Sequence, residues 1–305
     1  MENIIEVKDL TKKYGDFTAV DAISFTVQRG ETFGILGPNG AGKTTTLEMI
    51  EGLKSITSGE VLVDGHDVHK DPRLVKSLIG VQLQSSSFFD GLNLKELVET
   101  FGALYSRTVD GMKLLKDVQL DEKWKSQVKE LSGGQKQRLS IAVALVNDPK
   151  IIFLDEPTTG LDPQARRNLW DLVNAIKLQG KTVVLTTHYM EEAEILCDRI
   201  AIMDHAKIIT MDSPINLLKQ SGVGSQVEFH VDHHVDEDRF KNLPGVQHVV
   251  VEDHGVRLTT NDPQRVLTSL FQLEQSAGFK IFDMQLHQAT LEDVFLKLTG
   301  RTLRE

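Results

Sequence analysis

The chain has 305 residues, of which 40% are hydrophobic and 26% are charged, and its formal net charge is −10. This length exceeds that of a typical single domain, so we expect two domains, or one domain with an appendage. The acidic balance argues against general nucleic-acid binding, although it leaves room for a local basic patch. The single cysteine, Cys197, cannot form an internal disulfide, which fits a reducing cytosol.

No segment is predicted to enter a membrane. The N-terminal residues contain no signal-peptide apolar core. The longest apolar runs, such as IAVALV, are far shorter than the roughly 20 residues that cross a bilayer. We therefore expect a soluble protein, for which any membrane role comes through partners.

In chain order, the first elements are predicted to be strands. The segment from Ile4 to Glu31 alternates apolar and polar residues, which predicts antiparallel strands with turns at Gly15 and Gly30. The next predicted elements are a buried strand (TFGIL), a glycine loop, a helix (TTTLEMIEGL), a hairpin (GEVLVDGHDV) and a mainly helical region from Pro72 to Val146.

The remaining elements predict two different kinds of domain. Two apolar strands, KIIFLD and KTVVLTT, frame the predicted helix PQARRNLWDLVNAIKLQ, and this alternation indicates a mostly parallel α/β sheet. Further along, the order β, α, β, β, α, β predicts a small α+β domain of ferredoxin-like type, closed by a last helix. We expect a first domain over residues 1–220 and a second over residues 221–305.

A phosphate-binding loop is predicted directly after the strand TFGIL. GPNGAGKTT matches G-x-x-x-x-G-K-[ST] between a strand and a helix, which is the context that this motif requires. The glycines let backbone N–H groups face phosphate oxygens, and the helix start adds its positive end. A glycine turn with a chance lysine is the alternative. The predicted nucleotide-binding residues are Gly37, Pro38, Asn39, Gly40, Ala41, Gly42, Lys43 (to the β- and γ-phosphates), Thr44 (also to Mg²⁺) and Thr45.

Polar residues also follow two later apolar strands. Asp155 ends KIIFLD and is suited to hold Mg²⁺ through water, and Glu156 can orient or deprotonate the attacking water. His188 follows TVVLTT and is a candidate γ-phosphate contact, provided that the three strands are parallel neighbours. The alternatives are an ordinary solvated loop for the two acidic residues and a structural role for the histidine.

Two more candidates depend on weaker signals. Gln84 follows another short strand and could sense Mg²⁺ and the attacking water, or it could be a polar residue entering a loop. Tyr14 could stack on adenine, a contact that every base face allows, or it could be a core or surface tyrosine.

A second glycine-rich turn, LSGGQ, lies far downstream of the first. Ser132 and Gln135 have the spacing of a capping box, so the simplest interpretation is the start of a helix. Capping does not require Gly133 and Gly134, which are each disfavoured in helices by up to about 1 kcal/mol relative to alanine. The two glycines permit a close backbone approach, and the bare helix start is an anion site. We therefore expect this turn to bind a different nucleotide from the first loop, or the far side of the same kind of nucleotide.

The order of these motifs resembles that of the nucleotide-binding domain of ATP-binding cassette (ABC) proteins over roughly residues 3–215. The resemblance implies a P-loop NTPase fold with an antiparallel β subdomain and a helical subdomain. It also implies a head-to-tail homodimer in which Ser132, Gly133, Gly134 and Gln135 contact the ATP of the partner subunit, with Asp162 at the seam. By the same resemblance Tyr14 stacks on adenine, Gln84 contacts Mg²⁺ and water, and Glu156 is the catalytic base.

The C-terminal residues ATLEDVFLKLTGR resemble the ending of drug and antibiotic exporter subunits of the daunorubicin-resistance type. This resemblance implies an ATPase at the cytoplasmic face of the membrane that powers efflux through a separate permease. Phe88 and Phe89 are candidates for the permease groove, with core packing as the alternative. Sodium, lipid or copper-related transport, nutrient import and a non-transport soluble ATPase remain alternative functions. For the second domain we expect an accessory role in dimerisation or regulation.

Overall fold

The computed structural model describes residues 2–83, 88–89, 91–233 and 235–300, which divide into two compact units. The first unit extends to Pro214 and the second begins at Ile215, each with its own hydrophobic core. This division falls earlier than the boundary expected from the sequence, at the start of a helix that the sequence assigned to the first domain.

The first unit alternates strands and helices as the sequence predicts. Its elements are β1 (Asn3–Tyr14), β2 (Phe17–Gln28), β3 (Thr32–Leu36), α1 (Lys43–Ile50), β4 (Ser58–Val63), β5 (His66–Asp67), α2 (Pro72–Leu78), β6 (Ile79–Gln82), α3 (Leu94–Leu104), α4 (Gly111–Asp117), α5 (Gly133–Leu145), β7 (Ile151–Asp155), α6 (Pro163–Leu178), β8 (Thr182–Thr187), α7 (Met190–Leu196), β9 (Arg199–Asp204) and β10 (Lys207–Asp212). The helix α8 (Pro214–Ser221) begins at the division.

A six-stranded sheet forms the centre of this unit, in the order β10-β9-β3-β8-β7-β6. The strands from β9 to β6 pair in parallel, and β10 pairs antiparallel with β9. Every residue of β3, β7 and β8 is buried, as expected for strands covered on both faces. The prediction of a mostly parallel sheet is therefore confirmed.

A second, antiparallel sheet of the first unit has the order β2-β1-β4-β5. Its first hairpin turns at Gly15 (φ 57°), as the sequence predicts. The helix α1 ends sooner than predicted because the chain turns at Gly52, whose φ is 68°. The predicted helical region holds α2, α3, α4 and α5, and the short strand β6 interrupts it.

The second unit follows the predicted order of strands and helices. Its elements are β11 (Ser225–Val231), α9 (Glu237–Lys241), β12 (Val246–Glu252), β13 (Gly255–Thr260), α10 (Pro263–Ala277), β14 (Ile281–His287) and α11 (Leu291–Thr299). The four strands form an antiparallel sheet in the order β12-β13-β11-β14, with the core on one face. This strand order agrees with a split βαβ arrangement, and the ferredoxin-like assignment stays a prediction.

Across the described ranges, no helix combines the length and the apolar character that crossing a membrane requires.

Candidate nucleotide-binding site

Three parallel strands carry most of the predicted site. The strand β8 lies between β3 and β7, so the three are neighbours. The phosphate-binding loop follows β3, Asp155 and Glu156 lie at the end of β7, and His188 follows β8. Because parallel strands place their carboxyl ends at one edge, these residues converge, as predicted.

The loop between β3 and α1 lines an open cavity. Gly42 has a φ of 103°, and a Cβ there would lie 2.5 Å from the carbonyl oxygen of Ala19. Only glycine fits this position. No side chain caps the N-terminus of α1, so its N–H groups are available to an anion. The cavity is lined by Phe17, Ala19, Asn39, Gly40, Gly42, Lys43, Thr44, Thr45 and Glu156.

Lys43 is buried at the centre of this arrangement. Its Nζ donates to the carbonyl oxygens of Gly37 (3.0 Å) and Pro38 (3.3 Å). The same nitrogen lies 3.4 Å from Oε1 of Glu156. A buried ammonium ion held by two neutral carbonyls and one carboxylate can exchange these partners for phosphate oxygens.

Glu156 lies between Lys43 and His188. Its Oε2 is 3.4 Å from Nδ1 of His188, without the alignment of a hydrogen bond, and Thr159 Oγ1 donates to the same oxygen at 3.2 Å. The neighbouring His188 and Lys43 outweigh desolvation and lower the pKa of Glu156 to about 2. The carboxylate is therefore ionised at neutral pH, as a group that orients or deprotonates water must be.

Asp155 and Thr44 form the part of the site that suits a magnesium ion. Oδ1 of Asp155 accepts from Thr44 Oγ1 (3.2 Å) and from Thr186 Oγ1. Burial raises the pKa of Asp155. Within the described part of the chain, no cluster of three or more His, Cys, Asp or Glu residues could hold a metal by itself. A hydroxyl and a single carboxylate fit Mg²⁺, which completes its shell with water and phosphate oxygens.

Two of the predicted residues remain apart from this cluster. Tyr14 ends β1, is 45% exposed and does not line the cavity, whereas its cross-strand partner Phe17 does. Phe17 is not among the residues predicted from the sequence, although its position just after the Gly15 turn is visible there. Gln84 lies outside the described residues.

The second glycine-rich turn begins α5. Gln135 N donates to Ser132 Oγ (3.4 Å) and Ser132 N donates to Gln135 Oε1 (3.0 Å), which confirms the predicted capping box. A Cβ on Gly134 would lie 3.0 Å from Cβ of Ala165, so packing within the same chain favours glycine at this position. A Cβ on Gly133 would meet only Leu161, at 3.8 Å, so packing does not require glycine there.

The same turn lines a separate cavity together with the first part of α6. Its lining residues are Ser132, Gly134, Gln135, Arg138, Asp162, Gln164, Ala165 and Asn168. We call it the signature cavity. It shares no lining residue with the cavity beside Lys43. Asp162 caps α6, because its Oδ1 accepts from Ala165 N at 2.9 Å.

Comparisons with known proteins match this arrangement. A family model described as ABC transporter matches residues 20–159. The chain is 38% identical to the Nod factor export ATP-binding protein I of Rhizobium sp. (strain N33), over 99% of this chain and 98% of that protein. It is 34% identical to the linearmycin resistance ATP-binding protein LnrL of Bacillus subtilis (strain 168), over 99% of this chain and 100% of that protein.

Among solved structures, the dimeric structure of a bacterial ABC transporter cassette is 28% identical, with a TM-score of 0.62. The match covers 68% of this chain and 98% of that cassette. The parallel sheet, the phosphate-binding loop and identities of 38% and 34% over nearly whole chains agree. The chain therefore belongs to the ABC transporter family and is one of its ATP-binding proteins.

Proposed function

We propose that this chain binds ATP with Mg²⁺ beside Lys43, hydrolyses it in a head-to-tail homodimer, and powers export through a separate membrane permease. One observation carries the proposal. Lys43, Asp155, Glu156 and the segment of His188 meet at one edge of the sheet, while the signature cavity lies apart with no shared lining residue. A second chain is the simplest source of a nucleotide for that cavity.

Lys43 and Glu156 change partners in the proposed cycle. When ATP binds, Lys43 exchanges the carbonyls of Gly37 and Pro38 and the carboxylate of Glu156 for the β- and γ-phosphates. Losing this neighbouring positive charge raises the pKa of Glu156, which makes the carboxylate a stronger base. Glu156 then orients the attacking water and accepts its proton, and His188 contacts the γ-phosphate.

Thr44 and Asp155 are the residues that would hold Mg²⁺, with Gln84 as a further contact. Mg²⁺ at this position would supply electrostatic stabilisation of the charge that develops on the phosphates during hydrolysis. Asp155 would hold the ion through a water molecule. The hydrogen bond from Thr186 keeps the Asp155 carboxylate at its place beside the Thr44 hydroxyl.

The proposed dimer joins the signature cavity of one subunit to the nucleotide of the other. Ser132, Gly133, Gly134 and Gln135 would contact the phosphates, and the open space at Gly133 leaves room for them. Phe17 lines the cavity beside the loop and would contact adenine, with its cross-strand partner Tyr14 as a second candidate. The dimeric cassette found among the solved structures supports this association.

Trapping the dimer tests the mechanism directly. We expect E156Q to bind ATP and Mg²⁺, to lose turnover by at least about 10²-fold, and to accumulate as a dimer. E191Q is the matched control, because Glu191 is exposed in the first turn of α7, close to His188 in the chain. Size-exclusion chromatography with and without ATP measures the state. A monomeric E156Q protein at saturating ATP and Mg²⁺ would contradict the proposal.

Export through a permease rests on the relatives and on one exposed aromatic side chain. Both relatives named above are ATP-binding proteins of export or resistance systems. Phe89 is 49% exposed and packs on Phe101 of α3, with ring centroids 5.6 Å apart, and Phe88 is partly buried. This exposure favours the groove over core packing for Phe89. In this proposal the chain acts at the cytoplasmic face of the membrane, where its permease holds it.

Serine at both phenylalanine positions separates these two roles. We expect F88S/F89S to keep the ATPase activity of the isolated subunit and to lose assembly with the permease. Co-purification with the membrane protein measures assembly. Unchanged activity together with unchanged assembly would show that the groove assignment is wrong.

A further inference from the structure

The side chain of His188 has a neighbour on each side that can fix its orientation. Nδ1 faces Glu156, and the imidazole packs on the ring of Tyr189 with centroids 4.1 Å apart and an interplanar angle of 42°. Within the described residues, Nδ1 of His188 has no hydrogen-bond partner. Packing on the Tyr189 ring and the close contact with the Glu156 carboxylate therefore act together to hold this imidazole.

Tyr189 is itself held by a residue from another helix. The guanidinium of Arg166, on α6, lies over the Tyr189 ring with its Cζ 4.3 Å from the centroid. The electron-rich face of the ring attracts the cation, more strongly where the cation is poorly solvated. The buried Nε of Arg166 has no hydrogen-bond partner among the described residues. The charge of Arg166 also interacts with the Glu192 carboxyl and lowers its pKa, although burial raises that pKa overall.

The helices α6 and α7 are fixed against each other close to this contact. Trp170 Nε1, one turn after Arg166, donates to Oε1 of the fully buried Glu192 at 3.2 Å. Glu192 lies in the first turn of α7, shortly after Tyr189 in the chain. The position of the segment that carries His188 therefore depends on the position of α6.

The helix α6 also forms one wall of the signature cavity. Asp162, Gln164 and Ala165 of its first turn line that cavity, and Ala165 packs against Gly134. Arg166 is the next residue along the helix, and its side chain reaches Tyr189. One helix turn thus contacts both the signature cavity and the residue that packs on the imidazole of His188.

We propose that Arg166 and Tyr189 are positioning residues for His188, which tie the orientation of its imidazole to the helix turn that lines the signature cavity. The inference rests on the proposed function, because it assigns His188 to the γ-phosphate. Neither residue touches the substrate. A nucleotide of the partner subunit that occupies the signature cavity would set the position of α6. Arg166 and Tyr189 would then hold the imidazole of His188 in the matching position.

Steady-state kinetics of the full-length protein tests the inference. We expect R166M and Y189A to lower kcat for ATP hydrolysis by about 10-fold to 10²-fold, the range that a small misplacement of a reacting group produces, with KM changed less than about twofold. Y189F keeps the ring and should retain wild-type kcat. R167M is the matched control, because Arg167 is the exposed neighbour on the same helix. R166K keeps the charge without the planar face, so a partial loss of kcat is expected.

A double-mutant cycle distinguishes positioning from a general structural effect. In an H188A background, R166M should lower kcat by less than about twofold further, because residues that act as a unit are not additive. An equal loss in the wild-type and H188A backgrounds would overturn the inference. The imidazole NMR resonance of His188, identified by its loss in H188A, should shift in Y189A and R166M but not in R167M. An unshifted resonance in both would overturn it as well.

Failure of this inference can be told apart from failure of the proposed function. If H188A and E156Q both hydrolyse ATP normally, the proposed mechanism is wrong. If these two variants are impaired while R166M and Y189A are not, only the positioning role is wrong.

Discussion

At the scale of single residues, Glu156 has the most unusual environment in the candidate site. Its backbone has a φ of 46°, which non-glycine residues adopt at a cost on the order of 1–3 kcal/mol. Its N–H donates to Thr186 Oγ1 at 3.0 Å, and its carboxylate lies between Lys43 and His188. Strained backbone of this kind is concentrated at functional sites, where the surrounding structure holds it in place.

The low pKa of Glu156 predicts a specific dependence of stability on pH. Its folded-state pKa of about 2 lies below the ordinary value of 4.5, so ionised Glu156 stabilises the folded state fully above pH 4.5. This contribution, at most about 3 kcal/mol, is lost as the pH falls from 4.5 towards 2.

Urea unfolding of nucleotide-free wild type and E156Q between pH 5 and pH 3 measures this contribution. The free energy of unfolding should fall more steeply for the wild type than for E156Q. Parallel slopes for the two proteins would show that the contacts with His188 and Lys43 do not stabilise the folded chain.

At the scale of elements, the start of α5 shows how one glycine-rich turn serves two purposes. The helix packs its Gly134 against Ala165 at the start of α6, which leaves no free space for a side chain. Gly133, one residue earlier, faces nearly open space. From the sequence both glycines were expected to serve the approach of a phosphate, whereas the structure gives Gly134 a packing role as well.

Alanine substitutions should separate these two glycines. G133A adds a better helix former in open space, so we expect the free energy of unfolding to be unchanged or raised by up to about 1 kcal/mol. The Tm should accordingly be unchanged or slightly higher. Its ATP turnover should nevertheless fall, because the new methyl group occupies the space proposed for the phosphate. G134A gains the same propensity but presses on Ala165, so its Tm should be lower than that of G133A.

A double-mutant cycle of G134A and A165G, measured by thermal unfolding, tests whether contact with Ala165 causes the G134A effect. If the clash is responsible, A165G should be less destabilising in the G134A background than in the wild type. Additive changes would contradict the packing explanation.

At the scale of the whole molecule, the chain has two units with separate hydrophobic cores. Separate cores need not unfold together, so a single two-state transition is not expected. Every predicted nucleotide contact lies in the first unit. A ligand that binds only that folded unit stabilises it by about 2.7 kcal/mol at 100 times its Kd.

Calorimetry of E156Q with and without ATP and Mg²⁺ should therefore show two unfolding transitions. ATP should raise the Tm of only one of them. A protein lacking residues 222–305 should retain the transition that ATP shifts. One transition that shifts as a whole would mean that the two units unfold as one. Comparing dimerisation of this shorter protein with that of the full chain tests the predicted accessory role of residues 221–305.

The elements and the motifs could be predicted from the sequence alone, because both depend on residues close together in the chain. The phosphate-binding loop, the capping box at Ser132 and the acidic end of β7 were read from local patterns and were found at those positions. The parallel neighbourhood of β3, β8 and β7 was inferred as a condition, and the sheet order confirms it.

The contacts between side chains that are distant in the sequence could be found only in the folded chain. Phe17 beside the phosphate-binding loop, Gly134 against Ala165, and Arg166 over Tyr189 join residues from different elements. No local pattern marks these pairs, because side-chain packing between elements depends on how the helices and strands are stacked. The residues that carry the chemistry of the site could therefore be predicted from the sequence. The contacts that orient His188 and shape the signature cavity could not.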